Sequence, residues 1–182
     1  AGNPLLISPD PLLEYGLLTE DDLAPLRALP RDYVDYDGVR ARKRAVLRTA
    51  FERFEAAGSP IDATDLGQFR KNHAGWLEEY ALYAALKDVH DEGAWTEWPA
   101  PLAHHDPDAI AQAREDHAET IRMHVFWQYL FHRQWSALQA YCRTRDIRLF
   151  GDVPIYVAHD SADVWAHQDL FRLDDDGAPT HV

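Results

Sequence analysis

The sequence predicts an α/β fold rich in helix, and three observations predict it. Apolar residues recur at helical spacing over most of positions 10–145. A short apolar run, Ile147 to Phe150, follows the longest helical pattern after a tight turn at Asp146. That run meets Gly151-Asp152 and then Pro154, and a proline ends a ladder because it has no N–H to donate. Helix, turn and strand in that order make half of a βαβ unit, and a lone strand cannot satisfy its own backbone. The chain therefore reads as part of a larger sheet protein, beginning and ending in mid-element.

Taken in order, Pro4 to Ile7 is a short apolar segment, and Asp10 can cap a helix that stops at Gly16. Thr19 with Asp22 imitates a capping box ahead of Leu23 and Leu26. Asp37 can cap a longer helix in which Leu47, Ala50, Phe51 and Phe54 share a face, ending at Gly58. Asp62 opens another, whose broad apolar face includes Trp76, Leu77, Tyr80, Ala81 and Tyr83 and which runs on toward Gly93. Asp106-Pro107 is a cap followed by a first-turn proline. From there a helical pattern, with room for one break, continues to about Arg145. Met123, Phe126, Leu130, Ala137 and Tyr141 lie on one side of it, and Ile121, Val125 and Trp135 on another. A helix apolar on two sides should be covered on two sides, here by a sheet and by further helices. "LFRLD" and "APTHV" around Asp176-Gly177 suggest a hairpin.

Composition excludes several classes. The 182 residues are 46% hydrophobic, enough for a core, and carry a formal net charge of −13. An acidic surface repels phosphate backbones, so nucleic acid is not an expected partner. Cys142 is the single cysteine, which leaves no internal disulfide or thiolate cage and fits a reducing, cytoplasmic location. No apolar run approaches a membrane span, and "AGNPLLISPD" lacks the features of a signal peptide. Neither a metal nor a cofactor is expected. Ten histidines invite a metal, but no His-Glu-x-x-His occurs, and His117 and His124 stand two turns apart. "DDDG" at Asp174 to Gly177 lacks the first and last ligands of a calcium loop. Trp95 and Trp98 could stack on sugars, yet plugging a local core is the preferred reading.

In α/β proteins, ligands gather where strands end. Gly151 turns the chain, Asp152 is presented at the carboxyl end of the run, and Pro154 sends the chain outward. The alternative is that Asp152 only caps the next turn or pairs with an arginine.

At this point the residues resemble a family. "DIRLFGDVPIYVAHDSADVWAHQDLFRLDDDGAPT" follows the pattern GIR-x-x-GD-x-PI-x-VA-x-DSA-x-VWA, completed by LF-x-LD-x-DG-x-P, of the third-strand region of amylomaltases (4-α-glucanotransferases), departing at Asp146 where glycine is usual. "AGNPLLIS" resembles the loop after their second barrel strand. "WLEEYALYAALKDVH", "WTEWPAPL" and "FWQYLFHRQWSALQAYC" resemble their inserted helical subdomain and the barrel helix that follows.

The resemblance implies part of a (β/α)8 barrel around its third strand, carrying a mostly helical insert. Residues 1–9 would be a strand end and loop, 10–105 the insert, 106–159 the barrel helix and third strand, and 160–182 a short helix and the start of a hairpin. It implies transfer of α-1,4-glucan units between maltooligosaccharides by a retaining route. It also implies that the catalytic aspartate and glutamate lie beyond Val182, so that these residues alone would be inactive and the remainder of the barrel would complete the fold. "RLDD" at Arg172 to Asp175 imitates the nucleophile motif but has Asp175 in place of its histidine. Asn3, Asp152 and Pro154 are the residues expected to bind substrate or support the site. Arg40 stands where some members carry an aromatic glucan contact, which argues against a remote sugar site there. The rival reading is a free-standing helical module that binds carbohydrate or protein without catalysis.

Overall fold

A computed structural model describes residues 1–56, 63–152 and 155–180. Helix dominates. Among the described residues the only β pairing is one antiparallel bridge, Leu173 with Pro179. The α-helices are α1 (Asp10–Glu14), α2 (Glu20–Arg27), α3 (Tyr36–Glu55), α4 (Ala63–Asn72), α5 (Ala74–Val89), α6 (Ala100–Ala103), α7 (Pro107–Asp116), α8 (Ala118–Arg143) and α9 (Ala162–Ala166). The chain forms two compact units, residues 1–72 with 126–149, and residues 73–125 with 150–182.

In the first unit, Leu12, Leu23, Leu47, Ala50, Phe51, Phe126 and Leu130 are buried together with Ile7 and Leu17. The Phe54 ring stacks on Phe126 with centroids 4.6 Å apart, and the Trp127 Nε1–H donates to the Leu47 carbonyl at 3.1 Å. Thr19 and Asp22 form the expected capping box of α2. Asp22 also accepts from Arg53 at 2.5 Å and 3.1 Å, which ties α2 to α3. The Arg53 hydrogen bond outweighs the cost of burial and holds the Asp22 carboxyl down at about 2.

The second unit buries Leu77, Ala81, Leu82 and Leu86 of α5 with Trp95, Trp98, Val164 and Trp165. Trp98 packs edge-on against Trp165 with centroids 5.5 Å apart. Trp95 and Trp98 thus fill this core, as the sequence suggested. Their exposure is 1% and 4%, which removes them as open sugar platforms. Leu173, Asp174, Ala178 and Thr180 make a short hairpin-like turn, with Asp174 N–H donating to the Ala178 carbonyl at 2.9 Å. Gly177 sits at φ +77°, and a Cβ there would lie 2.6 Å from the Trp95 ring.

Four helices end alike. Beyond α1, α5, α6 and α8 the chain turns to positive φ, at Gly16, Asp91, His105 and Asp146 respectively, and beyond α5 Glu92 follows Asp91 into the same region. The next N–H then reaches back five residues, Leu17 to Leu12, Glu92 to Lys87, Asp106 to Pro101 and Ile147 to Cys142. This closure satisfies carbonyls the helix leaves open.

Several expectations are corrected. Asp35, not Asp37, caps α3, accepting from Gly38 N–H at 2.9 Å. The glycine permits this, since a Cβ there would lie 2.2 Å from the Asp35 carboxylate. Asp10 is the first residue of α1 rather than its cap. The helix expected to run through to Gly93 divides at His73. Gly58 and Asp62 lie outside the described residues. Pro4–Leu6 form a 3-10 turn. Ile147 to Phe150 form no strand: no ladder partner lies beside them among the described residues, and an unpaired strand has no hydrogen bonds to hold it. The second half of α8 is likewise uncovered, with Trp135, Leu138 and Tyr141 exposed.

Candidate functional site

The three residues singled out by sequence fall in different surroundings. Asn3 belongs to the first unit, is exposed, and accepts a hydrogen bond from Leu5 N–H at 3.0 Å through Oδ1. Asp152 belongs to the second unit and is exposed, in a stretch with no regular structure. Pro154 lies outside the described residues. Around Asp152, Phe150 is 95% exposed, and Ile155 and Tyr156 are nearly as open.

The loop that carries Asn3 is seated by side chains. Gly2 N–H donates to Gln128 Oε1 at 2.7 Å, and Nε2 of the same carboxamide donates to the Gly2 carbonyl at 2.8 Å. Gln134 repeats this at Ser8, with distances of 2.7 Å and 2.8 Å. Between them Lys43 Nζ donates to the Leu5 carbonyl at 2.9 Å. Desolvation lowers the Lys43 pKa, while the nearby charge of Asp10 opposes that shift. Gly2, Leu5 and Ser8 are held at intervals of three, while Asn3 and Leu6 between them are exposed.

The segment after Asp152 is anchored at its far end. Asp160 accepts from Tyr83 OH at 2.7 Å, from Lys87 Nζ at 2.7 Å and from Trp95 N–H at 3.3 Å. Burial works against its charge, yet these bonds hold its pKa below the ordinary value. The His159 carbonyl accepts from Trp95 Nε1–H at 2.8 Å, and His159 Nε2 lies 2.7 Å from the Gly177 carbonyl. Ser161 caps α9.

A general acid in glycoside chemistry needs a carboxyl with a raised pKa. The Asp22, Glu79 and Asp160 carboxylates are each displaced downward by hydrogen-bonded partners. They are structural anions. Among the described residues no three His, Cys, Asp or Glu side chains gather closely enough to hold a metal ion, and no helix is long and apolar enough to cross a membrane. Sequence reasoning missed Gln128, Gln134, Lys43 and the anchoring role of Asp160. A buried glutamine within an apolar helix pattern is the signal that could have drawn notice to Gln128.

Comparison with known proteins assigns this arrangement to a class of carbohydrate-active proteins. The family model for 4-alpha-glucanotransferase matches residues 1–181. A 4-alpha-glucanotransferase of Thermus thermophilus is 43% identical over 182 residues, covering 100% of this chain and 36% of the relative. One from Synechocystis is 40% identical over 174 residues, covering 94% of this chain and 34% of the relative. The structure of an amylomaltase from Streptococcus agalactiae in complex with acarbose superposes with a TM-score of 0.89 at 32% identity, covering 98% of this chain and 36% of that one.

The chain belongs to the 4-alpha-glucanotransferase family. It spans about a third of the length of these relatives.

Proposed function

We propose that these residues serve as a segment of a 4-α-glucanotransferase that moves α-1,4-glucan units between maltooligosaccharides by a retaining mechanism. The observation that carries this reading is the match of the family model over residues 1–181. In the mechanism, an aspartate attacks the anomeric carbon while a glutamate protonates the departing oxygen, and the glycosyl-enzyme is then taken by the 4-hydroxyl of an acceptor glucan. Both carboxylates are assigned to parts of the enzyme outside these 182 residues.

Within the proposed (β/α)8 barrel, Ile147 to Phe150 become the third strand once neighbouring strands flank them. Their apolar side chains support this: Ile147, Leu149 and Phe150 are all exposed here, and burying such surface contributes about 25 cal/mol per Å2. Asp152 then stands at the carboxyl end of the strand. There it accepts a sugar hydroxyl hydrogen bond and takes no part in attack or proton transfer. Pro154 ends the ladder. A cytoplasmic location is in keeping with the lone, buried thiol of Cys142.

The test is incubation of the enzyme carrying these residues with maltotriose. Glucose and a ladder of longer maltodextrins are expected. Glucose and maltose without longer products would make the protein a hydrolase.

A further inference from the structure

The seat of the Asn3 loop is built from groups that the transfer reaction does not itself require. Gln128 is 2% exposed, and it answers both backbone groups of one residue, as a paired strand neighbour would. At neutral pH a carboxamide does this without charge, whereas a carboxylate accepts but does not donate, and an ammonium donates but does not accept. Glycine is needed at the contact, because a Cβ on Gly2 would lie 2.1 Å from the Phe131 ring. Gln128, Phe131 and Gln134 follow each other at intervals of three along α8, and the loop lies on them at Gly2 and Ser8. A slip of one residue would exchange the seated positions for the presented ones.

We propose that Gln128 and Gln134 are positioning residues for glucan binding: their carboxamides fix the register of the loop so that Asn3 and Leu6 meet the sugar. The proposal rests on the glucanotransferase reading above and extends it to side chains that touch no substrate. Lys43 supports the middle of the same loop through the Leu5 carbonyl.

The test is steady-state kinetics on maltotriose between pH 5 and pH 8, with melting temperatures, for the wild-type enzyme, Gln128→Glu and Gln134→Glu. Each variant loses the donor to a carbonyl and is expected to raise KM about tenfold at pH 7 with kcat per folded molecule little changed. For Gln128→Glu, KM should return toward the wild-type value as pH falls, because the protonated carboxyl regains a donor and burial at this 2% exposed position keeps its pKa above the ordinary range. Gln134 is only half-buried, so its variant keeps the test open should Gln128→Glu fail to fold. Wild-type KM at pH 7, with the damage confined to melting temperature or yield, overturns the proposal alone. A wild-type enzyme that transfers nothing overturns the proposed function, and this inference with it.

Discussion

Tyr83 and Asp160 stand 77 positions apart and share a 2.7 Å hydrogen bond. The same carboxylate takes up Lys87, whose side chain is 13% exposed, and the Trp95 N–H. One anion therefore joins α5, the tryptophan turn and the chain entering α9. Burial and this bond together push the Tyr83 hydroxyl well above its ordinary pKa, so it remains a donor at any working pH.

Asp160→Asn should therefore destabilise, by about 1–3 kcal/mol, since it takes the charge from Lys87 and leaves fewer acceptors for three donors. Turnover per folded molecule should stay close to wild type. Chemical denaturation together with active-site-normalised kinetics checks both halves. A turnover loss without a stability loss would place Asp160 in the chemistry instead.

Asp22 gives a pH signature. Its folded pKa of about 2 lies below the reference value of 3.8. A depressed carboxyl contributes stability above its unfolded pKa, and that stability is lost as pH falls through the folded value. The contribution, about 1–2 kcal/mol after solvent screening, should be complete above about pH 4 and fade toward pH 2. Asp22→Asn should remove that slope, as read from unfolding free energies at pH 2 to 6.

Asp146 occupies a left-handed position at φ 54°, where a side chain is strained. Asp146→Gly should relieve the strain at the end of α8 and raise stability by about 0.5–1 kcal/mol. A lower melting temperature would mean that the aspartate side chain contributes more than its backbone costs.

Much of this fold was legible because local chemistry sets it. Thr19 and Asp22 close their box within one turn, and Asp106 with Pro107 opens α7 as their types demand. The apolar faces of α3, α5 and the first half of α8 agree with the buried residues. What failed depended on distant or absent partners. Whether Asp35 or Asp37 caps α3 turns on a contact that only Gly38 allows. The strand expected at Ile147 to Phe150 is not formed, because a strand there would need neighbours that the segment itself cannot supply. The anchoring role of Asp160 was not legible, because nothing nearby in sequence announces Tyr83 and Lys87. Of the site, Asp152 was singled out by its place after the apolar run and Asn3 by resemblance, and the glutamines that seat the Asn3 loop became visible only from their partners.

Asp152→Asn keeps shape and removes charge. In the enzyme it should cut maltotriose turnover by about one to two powers of ten, the value of a charge-assisted hydrogen bond, with little change in melting temperature. Asp163→Asn, in the first turn of α9, should leave turnover within about twofold. Equal turnover in the two variants would reduce Asp152 to a turn residue.

Incorporation of labelled glucose tests the central claim most directly. The enzyme carrying these residues is incubated with maltotriose and free labelled glucose as acceptor. Transfer places label in maltose and longer maltodextrins, because the acceptor hydroxyl, not water, resolves the glycosyl-enzyme. Label that stays in glucose while maltotriose is consumed would contradict the account.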